Sequence, residues 1–188
     1  DRFPRMFEKI TVGTTPYEFT GCLGWRNVWM LDEQGTCIIR ANSPWVYLNT
    51  DTGRPTRPEE SETSAYGTEE KISMDYAPRK IRLPENMQRK EPVLVIQDFI
   101  DTNHHVNNAQ YIEIALNTME DDLKSSDGRN PRLFVREIRV EYKKQAVLGD
   151  VLHPKTGRQD DWDYVTLEDQ EGHAYASVAF HFIEEMRN

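Results

Sequence analysis

The sequence predicts an α+β protein that combines long antiparallel sheets with one long helix. Most of its periodic segments alternate apolar and polar residues, as half-buried strands do. Only one long segment, from residue 106 to about 123, repeats its apolar residues at helical spacing. Helices set against an antiparallel sheet define the α+β class.

Two turn clusters organise the predicted strands into hairpins. "DEQG" (32–35) and "EDQEG" (168–172) each separate two alternating segments, so each joins them as antiparallel neighbours. The predicted strands are 8–19, 23–31, 37–48, 92–99, 132–147, 163–168 and 174–183.

The predicted helix carries its apolar residues on one face. They recur three and four positions apart, at Val106, Ala109, Ile112, Leu116, Met119 and Leu123. The polar segment "SSDGRNP" (125–131) then ends the helix.

The two hairpins have similar sequences. "LDEQGTCIIRANSPWVYL" (31–48) and "LEDQEGHAYASVAFHFI" (167–183) share an apolar residue, an acidic turn with glycine and a long alternating strand. Such self-similarity indicates a duplicated domain. In the second copy, residues 92–148 precede the equivalent of Phe7-Glu8 and contain the helix, whereas the first copy has almost nothing there.

This repeat predicts two hotdog domains, each an antiparallel sheet wrapped around a central helix. We place the remainder of the first domain at 1–52, a connector with a short helical piece at 53–91, and the second domain at 92–188. The first domain lacks its opening strands and its helix. We therefore expect a shortened gene product or a segment of a longer protein.

Composition excludes several function classes. The net charge of −9 argues against general nucleic-acid binding, which needs a basic footprint. No apolar run approaches the roughly 20 residues of a membrane span. Cys22 and Cys37 match no metal-ligand or redox spacing, so we expect reduced thiols in a cytoplasmic protein.

No cofactor or metal is expected from the sequence. Zinc needs three or four converging ligands. The adjacent pair His104 and His105 has no further ligands at a suitable spacing, since the other histidines are predicted on strands or turns (His153, His173 and His181). Serine-hydrolase, zincin and phosphate-loop motifs are also missing from the sequence.

The most unusual stretch is "IDTNHHVNNAQYIEIA" (100–115). It gathers six polar residues just before the predicted helix, namely Asp101, Asn103, His104, His105, Asn107 and Asn108. Such residues either cap the helix or surround a reacting bond.

The pattern D-x-N-x-H-V-N-N-x-x-Y, at residues 101–111, resembles the signature of acyl-acyl carrier protein (ACP) thioesterases, the double-hotdog enzymes of plants and bacteria. Further stretches resemble the family in the same order: "DRFP" (1–4), "RANSPWVYLNTDTGRPTRP" (40–58), "MDYAPRKIRLP" (74–84) and "VEYKKQAVLGD" (140–150). The resemblance implies hydrolysis of fatty acyl-ACP to free fatty acid and carrier protein, in fatty acid biosynthesis.

The resemblance places the catalytic residues at Asp101, Asn103, His105 and Gln145. His105 is the expected general base, since histidine exchanges protons near neutral pH. Asn103 is expected to hold the attacking water or the thioester oxygen, and Asp101 to orient Asn103 or His105. Free backbone N–H groups of Val106 or Asn107 at the helix end are expected to polarise the carbonyl.

Structural explanations exist for part of the motif. Asp101 is equally suited to cap the helix. Adjacent residues of a helix point about 100° apart, so His104 and His105 do not easily serve the same site. We therefore expect His104 to be a surface residue. Asn107 and Asn108 are expected to fix the helix start and a dimer or domain contact.

Two positions depart from the family pattern. Gln145 stands where the family usually has glutamate, and Ala146 stands where the plant enzymes have cysteine. Glutamine can orient a water but cannot take its proton. The open alternatives are an acyl-CoA thioesterase, or a hotdog protein that binds acyl chains without hydrolysing them.

A local excess of positive charge suggests a docking surface for the acidic carrier. It comprises Arg129, Arg132, Arg136, Arg139, Lys143 and Lys144, against Glu137 and Glu141. The alternative is a solvated strand face whose charges protect a sheet edge. Hotdog sheets commonly pair edge to edge, so the resemblance allows a homodimer through sheet edges, although a double hotdog can satisfy that pairing within one chain.

Four aromatic residues, Phe19, Trp25, Trp29 and Trp45, are expected in the core rather than in an acyl pocket.

Overall fold

The computed structural model describes residues 2–119 and 133–184. The chain divides into two compact units, Asp1–Tyr76 and Ala77–Asn188. This division falls inside the predicted connector. Within the described residues, no helix is long and apolar enough to cross a membrane.

Unit 1 is built on a three-stranded antiparallel sheet. Its strands are β1 (Thr11–Thr20), β2 (Leu23–Leu31) and β3 (Cys37–Val46), in the order β1-β2-β3. A short helix, α1 (Glu60–Tyr66), follows and begins with a reciprocal capping box between Glu59 and Glu62. It is the short helical piece predicted for this region.

Unit 2 wraps a six-stranded antiparallel sheet around a helix. The sheet order is β4-β7-β8-β9-β6, with β5 also paired to β7, and helix α2 (Asn108–Met119) contacts β7, β8 and β9. The strands are β4 (Gln88–Arg89), β5 (Val93–Leu94), β6 (Leu133–Tyr142), β7 (Val151–Gln159), β8 (Trp162–Glu168) and β9 (Ala174–Glu184). The α+β prediction is confirmed.

The core of unit 2 lies between α2 and the sheet. Its buried residues are Val95, Val106, Tyr111, Ile114, Ala115, Met119, Ala146, Leu152, Val165, Leu167, Tyr175, Ala176, Val178 and Phe180. Burial of this much apolar surface holds the helix in place, since a twelve-residue helix is marginal alone. The start of α2 is therefore fixed relative to the strands.

Helix α2 begins two residues later than predicted, because Val106 is held in a bridge with Ile100. Its buried face is centred on Tyr111, Ile114 and Ala115, and Ala109 is exposed, contrary to the prediction. Leu123 and the predicted stop at 125–131 lie outside the described residues.

Two strand predictions need correction. Segment 92–99 contains only the two residues of β5 and a 3₁₀ turn at Gln97–Phe99. Strand β7 was missed because it contains Pro154 and Gly157, both unfavourable in strands. On one edge of β7, strand β5 pairs as far as Leu152 and strand β4 pairs from Lys155 onward. Pro154 lies between these two short pairings, so its missing N–H interrupts no continuous ladder.

The hairpin turns of the two units have the same hydrogen bonds. Asp32 N–H donates to Thr36 O at 2.9 Å, and Asp169 N–H donates to His173 O at 2.9 Å. The carboxylate Oδ1 of each aspartate accepts two further backbone N–H groups of its own turn. The predicted sequence repeat is thus also a structural repeat.

The repeat extends to the segments that precede β1 and β7. Glu8 N–H donates to Arg5 O, and Asp150 N–H donates to Val147 O, both at 3.1 Å. The carboxylate of Glu8 in turn accepts the N–H of Arg5 at 2.7 Å, and the carboxylate of Asp150 accepts the N–H of Val147 at 3.0 Å. Residues 2–8 therefore correspond to residues 144–150, as the predicted equivalence of Phe7-Glu8 requires.

Candidate active site

Residues Asp101 to His105 form a closed turn in front of helix α2. Asp101 N–H donates to His105 O at 2.8 Å, and His104 N–H donates to Asp101 O at 3.1 Å. The bridge between Ile100 and Val106 closes the base of the turn. His104 occupies the left-handed region at φ 64° and is exposed, as expected for a surface residue.

The Asp101 carboxylate organises this turn from within. Its Oδ1 accepts the backbone N–H of Asn103 at 2.8 Å and that of His105 at 3.4 Å, and its Oδ2 accepts Asn103 Nδ2 at 3.4 Å. The backbone N–H of Asn103 is the main cause that lowers the pKa of Asp101, and the charge of a protonated His105 adds to it. Asp101 thus stabilises the turn and does not cap α2.

The predicted role of the helix-end amides is wrong. Val106 N–H donates to Ala146 O and Asn107 N–H donates to Phe99 O, both at 2.9 Å, so neither is available to a substrate. Asn107 instead caps the helix, since its Oδ1 accepts the N–H of Ala109 at 2.9 Å. The expectation that Asn107 fixes the helix start is confirmed.

The Val106–Ala146 hydrogen bond brings a distant loop beside the turn. Gln145 precedes Ala146, and His105 precedes Val106, so the two predicted site residues flank the same backbone contact. Gln145 is exposed, His105 is half-buried, and Ala146 behind them is fully buried. Sites 40 residues apart in sequence are therefore neighbours at the front of α2.

The loop that carries Gln145 is held at several points. Asp150 Oδ2 accepts Val147 N–H at 3.0 Å and the Tyr175 hydroxyl at 3.1 Å. Gly149 has φ 89°, a conformation that favours glycine. The hydroxyl of Tyr111 accepts the N–H of Ala146 at 2.9 Å. No role was predicted for Tyr111 from the sequence, although this residue ends the motif four positions, about one helical turn, after Asn107.

Three of the four cations of the predicted docking surface that the structure describes are paired. Arg129 and Arg132 lie outside the described residues. The paired cations are Arg139 with Glu137 at 2.7 Å, Lys143 with Glu141 at 3.7 Å and Lys144 with Asp169 at 3.1 Å. This pairing favours the solvated strand face over a surface of unbalanced positive charge.

In unit 1 an apolar groove of about 680 Å³ lies along the sheet and helix α1. It is lined in part by Phe19, Val28, Trp45 and Tyr66, and Trp45 is 62% exposed. The core assignment predicted for Phe19 and Trp45 is therefore wrong, and Trp25 and Trp29 are only half-buried. None of the motif residues lines this groove.

Metal-ligand geometry is not found in the part of the chain that the structure describes. No group of three or more His, Cys, Asp or Glu side chains converges there. Both cysteines are free thiols.

Asp101→Asn is expected to lower thermal stability at neutral pH and to lose this effect in acid. Because the folded-state pKa of Asp101 is lowered, its charge stabilises the fold above the unfolded value of about 3.9 and ceases to do so as pH falls through the folded value. The Tm difference between wild type and variant, measured from pH 7 to pH 3, should shrink below about pH 4. Asp98→Asn, at an exposed position of the preceding 3₁₀ turn, is the control. A Tm difference that stays constant down to pH 3 would contradict the role assigned to the carboxylate.

Comparison with known proteins places the chain in a family. A family model for the acyl-ACP thioesterase C-terminal domain matches residues 84–184, and one for the N-terminal domain matches residues 1–66. No curated protein sequence matches significantly.

Solved structures of this family share the fold. The acyl-ACP thioesterase from Bacteroides thetaiotaomicron is 22% identical at a TM-score of 0.79, covering 94% of this chain and 69% of that chain. The 12:0-ACP thioesterase from Umbellularia californica is 17% identical at a TM-score of 0.77, covering 98% and 72%. The predicted two-hotdog fold is confirmed. Since the C-terminal model alone spans more than half of the sequence, the chain belongs to the acyl-ACP thioesterase family, the thioester hydrolases that release fatty acids from acyl carrier protein.

Proposed function

We propose that this protein hydrolyses fatty acyl-ACP with the side chains of the Asp101–His105 turn and of Gln145. The observation that carries the proposal is the hydrogen bond from Val106 N–H to Ala146 O at 2.9 Å. His105 precedes the donor of this bond and Gln145 precedes its acceptor, so both residues lie next to one fixed backbone contact. A water between an imidazole and an amide at that point has both a proton acceptor and an orienting group.

His105 acts as the general base. Its imidazole takes a proton from the water as the water oxygen attacks the thioester carbonyl carbon. When the tetrahedral intermediate collapses, the C–S bond breaks and the imidazolium returns the proton to the carrier thiolate. The products are a free fatty acid and the carrier thiol, and His105 is regenerated neutral.

Asn103 and Asp101 support this step. The exposed Asn103 amide donates to the thioester oxygen, where negative charge develops in the transition state. Asp101 Oδ2 lies 3.4 Å from Asn103 Nδ2, which supports a role in orienting that amide. The lowered pKa of Asp101 keeps its carboxylate charged at neutral pH.

Gln145 orients the attacking water. Its amide can donate and accept hydrogen bonds but cannot take a proton, so the base in this protein is His105 alone. This division predicts a slower enzyme than one with a carboxylate at the same place.

Carrier protein, rather than coenzyme A, is the substrate implied by the family. The paired cations in β6 and directly after it lend little support to a docking site there, so the docking surface stays open. Action in the cytoplasm stays a prediction based on the two free cysteines, and a homodimer through sheet edges also stays a prediction.

The function is tested by following the release of free fatty acid from acyl-ACP and acyl-CoA of the same chain length at equal concentration. We expect release from acyl-ACP with the higher kcat/KM. Faster hydrolysis of acyl-CoA would assign the protein to the CoA thioesterases. Tight binding of acyl-ACP without release would make it a non-catalytic acyl-binding protein.

A further inference from the structure

We propose that Tyr111 is a positioning residue for this reaction, because its hydroxyl sets Gln145 against His105 by holding the N–H of Ala146. The inference rests on the proposed function. Tyr111 itself touches neither the water nor the thioester.

A continuous path of hydrogen bonds links the turn, the loop and Tyr111. Asp101 N–H donates to His105 O at 2.8 Å, Val106 N–H donates to Ala146 O at 2.9 Å, and Ala146 N–H donates to the Tyr111 hydroxyl at 2.9 Å. Both peptide groups of Ala146 are thus fixed, one by the residue after His105 and one by helix α2. Without the Tyr111 hydroxyl, Ala146 would keep the hydrogen bond of its carbonyl to Val106 and lose the hydrogen bond of its N–H.

Tyr111 is well suited to this task because it is buried and packed in the core of unit 2. Its side chain is 3% exposed, belongs to the core cluster of unit 2, and packs edge-to-face on Tyr142 at a centroid distance of 5.9 Å. Burial raises the pKa of Tyr111, so the hydroxyl is neutral at every pH at which the enzyme would work. The anchor is therefore part of the rigid core rather than of the loop.

The anchored peptide group determines where Gln145 lies. Ala146 N–H belongs to the peptide plane that begins with the carbonyl of Gln145, so its hydrogen bond fixes the backbone direction at Gln145. Ala146 is fully buried, and an unpaired N–H there would drive the backbone to rotate toward another acceptor. Such a rotation would move the amide of Gln145 away from His105.

Tyr111→Phe removes the hydroxyl and keeps the ring. We expect kcat for acyl-ACP to fall about 10-fold to 100-fold, as for a misplacement near 1 Å, with KM changed by less than about threefold. The matched control is Tyr142→Phe, which loses a hydrogen bond to Asn108 O at 3.0 Å but leaves the Ala146 contact intact. We expect kcat of this control within about twofold of wild type, because the ring that packs on Tyr111 is retained and only a hydroxyl outside the Ala146 contact is lost.

A double-mutant cycle separates positioning from general weakening of the fold. If Tyr111 acts through Gln145, Tyr111→Phe should cost less than about twofold when Gln145 is already alanine. Full multiplication of the two losses would overturn the inference, and so would a Tyr111→Phe enzyme as fast as wild type.

A second variant removes the other partner of the same bond. Replacing Ala146 by lactic acid converts its backbone amide to an ester and deletes the N–H without changing Tyr111. We expect the same fall in kcat, and its absence would overturn the inference even if Tyr111→Phe did not fold. A wild-type protein without thioesterase activity would instead overturn the proposed function, so the two failures are distinguishable.

Discussion

His105→Ala is expected to lower kcat for acyl-ACP hydrolysis by roughly 10²- to 10⁴-fold, the range in which a general base contributes. Among the proposed catalytic side chains, Asp101, Asn103, His105 and Gln145, the imidazole of His105 is the one suited to take a proton from water near neutral pH. Because the turn is closed by backbone hydrogen bonds and by Asp101, removing the ring leaves its frame in place. The measurement is single-turnover release of fatty acid, with KM determined in parallel.

The adjacent histidine provides the control for this variant. His104 has φ 64° and is exposed, so His104→Asn suits the backbone and removes an imidazole one position away. We expect this control to keep wild-type kcat. Equal loss in both variants would show that the turn, and not the base, had been damaged, and no loss in His105→Ala would refute the assignment of His105.

Gln145→Glu is expected to raise kcat by about 10-fold to 100-fold at alkaline pH, part of the gain that a second proton acceptor can supply. The physical reason is that a carboxylate at the anchored position both accepts a proton and favours an imidazolium at His105. The same charge should move the acid limb of the pH–rate profile to higher pH. Both effects are measured in one series of kcat values from pH 5 to pH 9.

Val147→Glu tests whether charge alone is responsible. Val147 is exposed on the same loop, two residues after Gln145, and its N–H already bonds to Asp150. We expect its kcat and pH profile to match wild type. A faster Val147→Glu enzyme would indicate a general field effect, and an unchanged Gln145→Glu enzyme would show that Gln145 does not face the reaction.

Patterns local in sequence predicted most of the fold. The hairpins around Asp32 and Asp169 follow from alternating strands and from aspartate turns, whose hydrogen bonds lie within five residues. Helix α2 follows from its apolar spacing. Strand β7 could not be predicted in this way, because its tolerance of Pro154 depends on where its neighbours β4 and β5 stop pairing.

The residues of the candidate site come from the sequence and stay a prediction, whereas their backbone contacts could not be predicted from it. Asp101, Asn103 and His105 are contiguous, and the resemblance added Gln145. The engaged amides of Val106 and Asn107 could not be foreseen, since their acceptors, Ala146 and Phe99, are set by the tertiary fold. Tyr111 was missed for the same reason.

The correspondence between residues 2–8 and 144–150 means that each position of the Gln145 loop has a counterpart in the first copy with which it can be compared. In the first copy Phe3 stands at the place of Gln145, and Glu8 makes the backbone contacts of Asp150. Features present in both copies belong to the scaffold, and the carboxylate of Asp150 is among them. Features present only in the second copy, Gln145 among them, are the places where we expect the two loops to differ in chemistry.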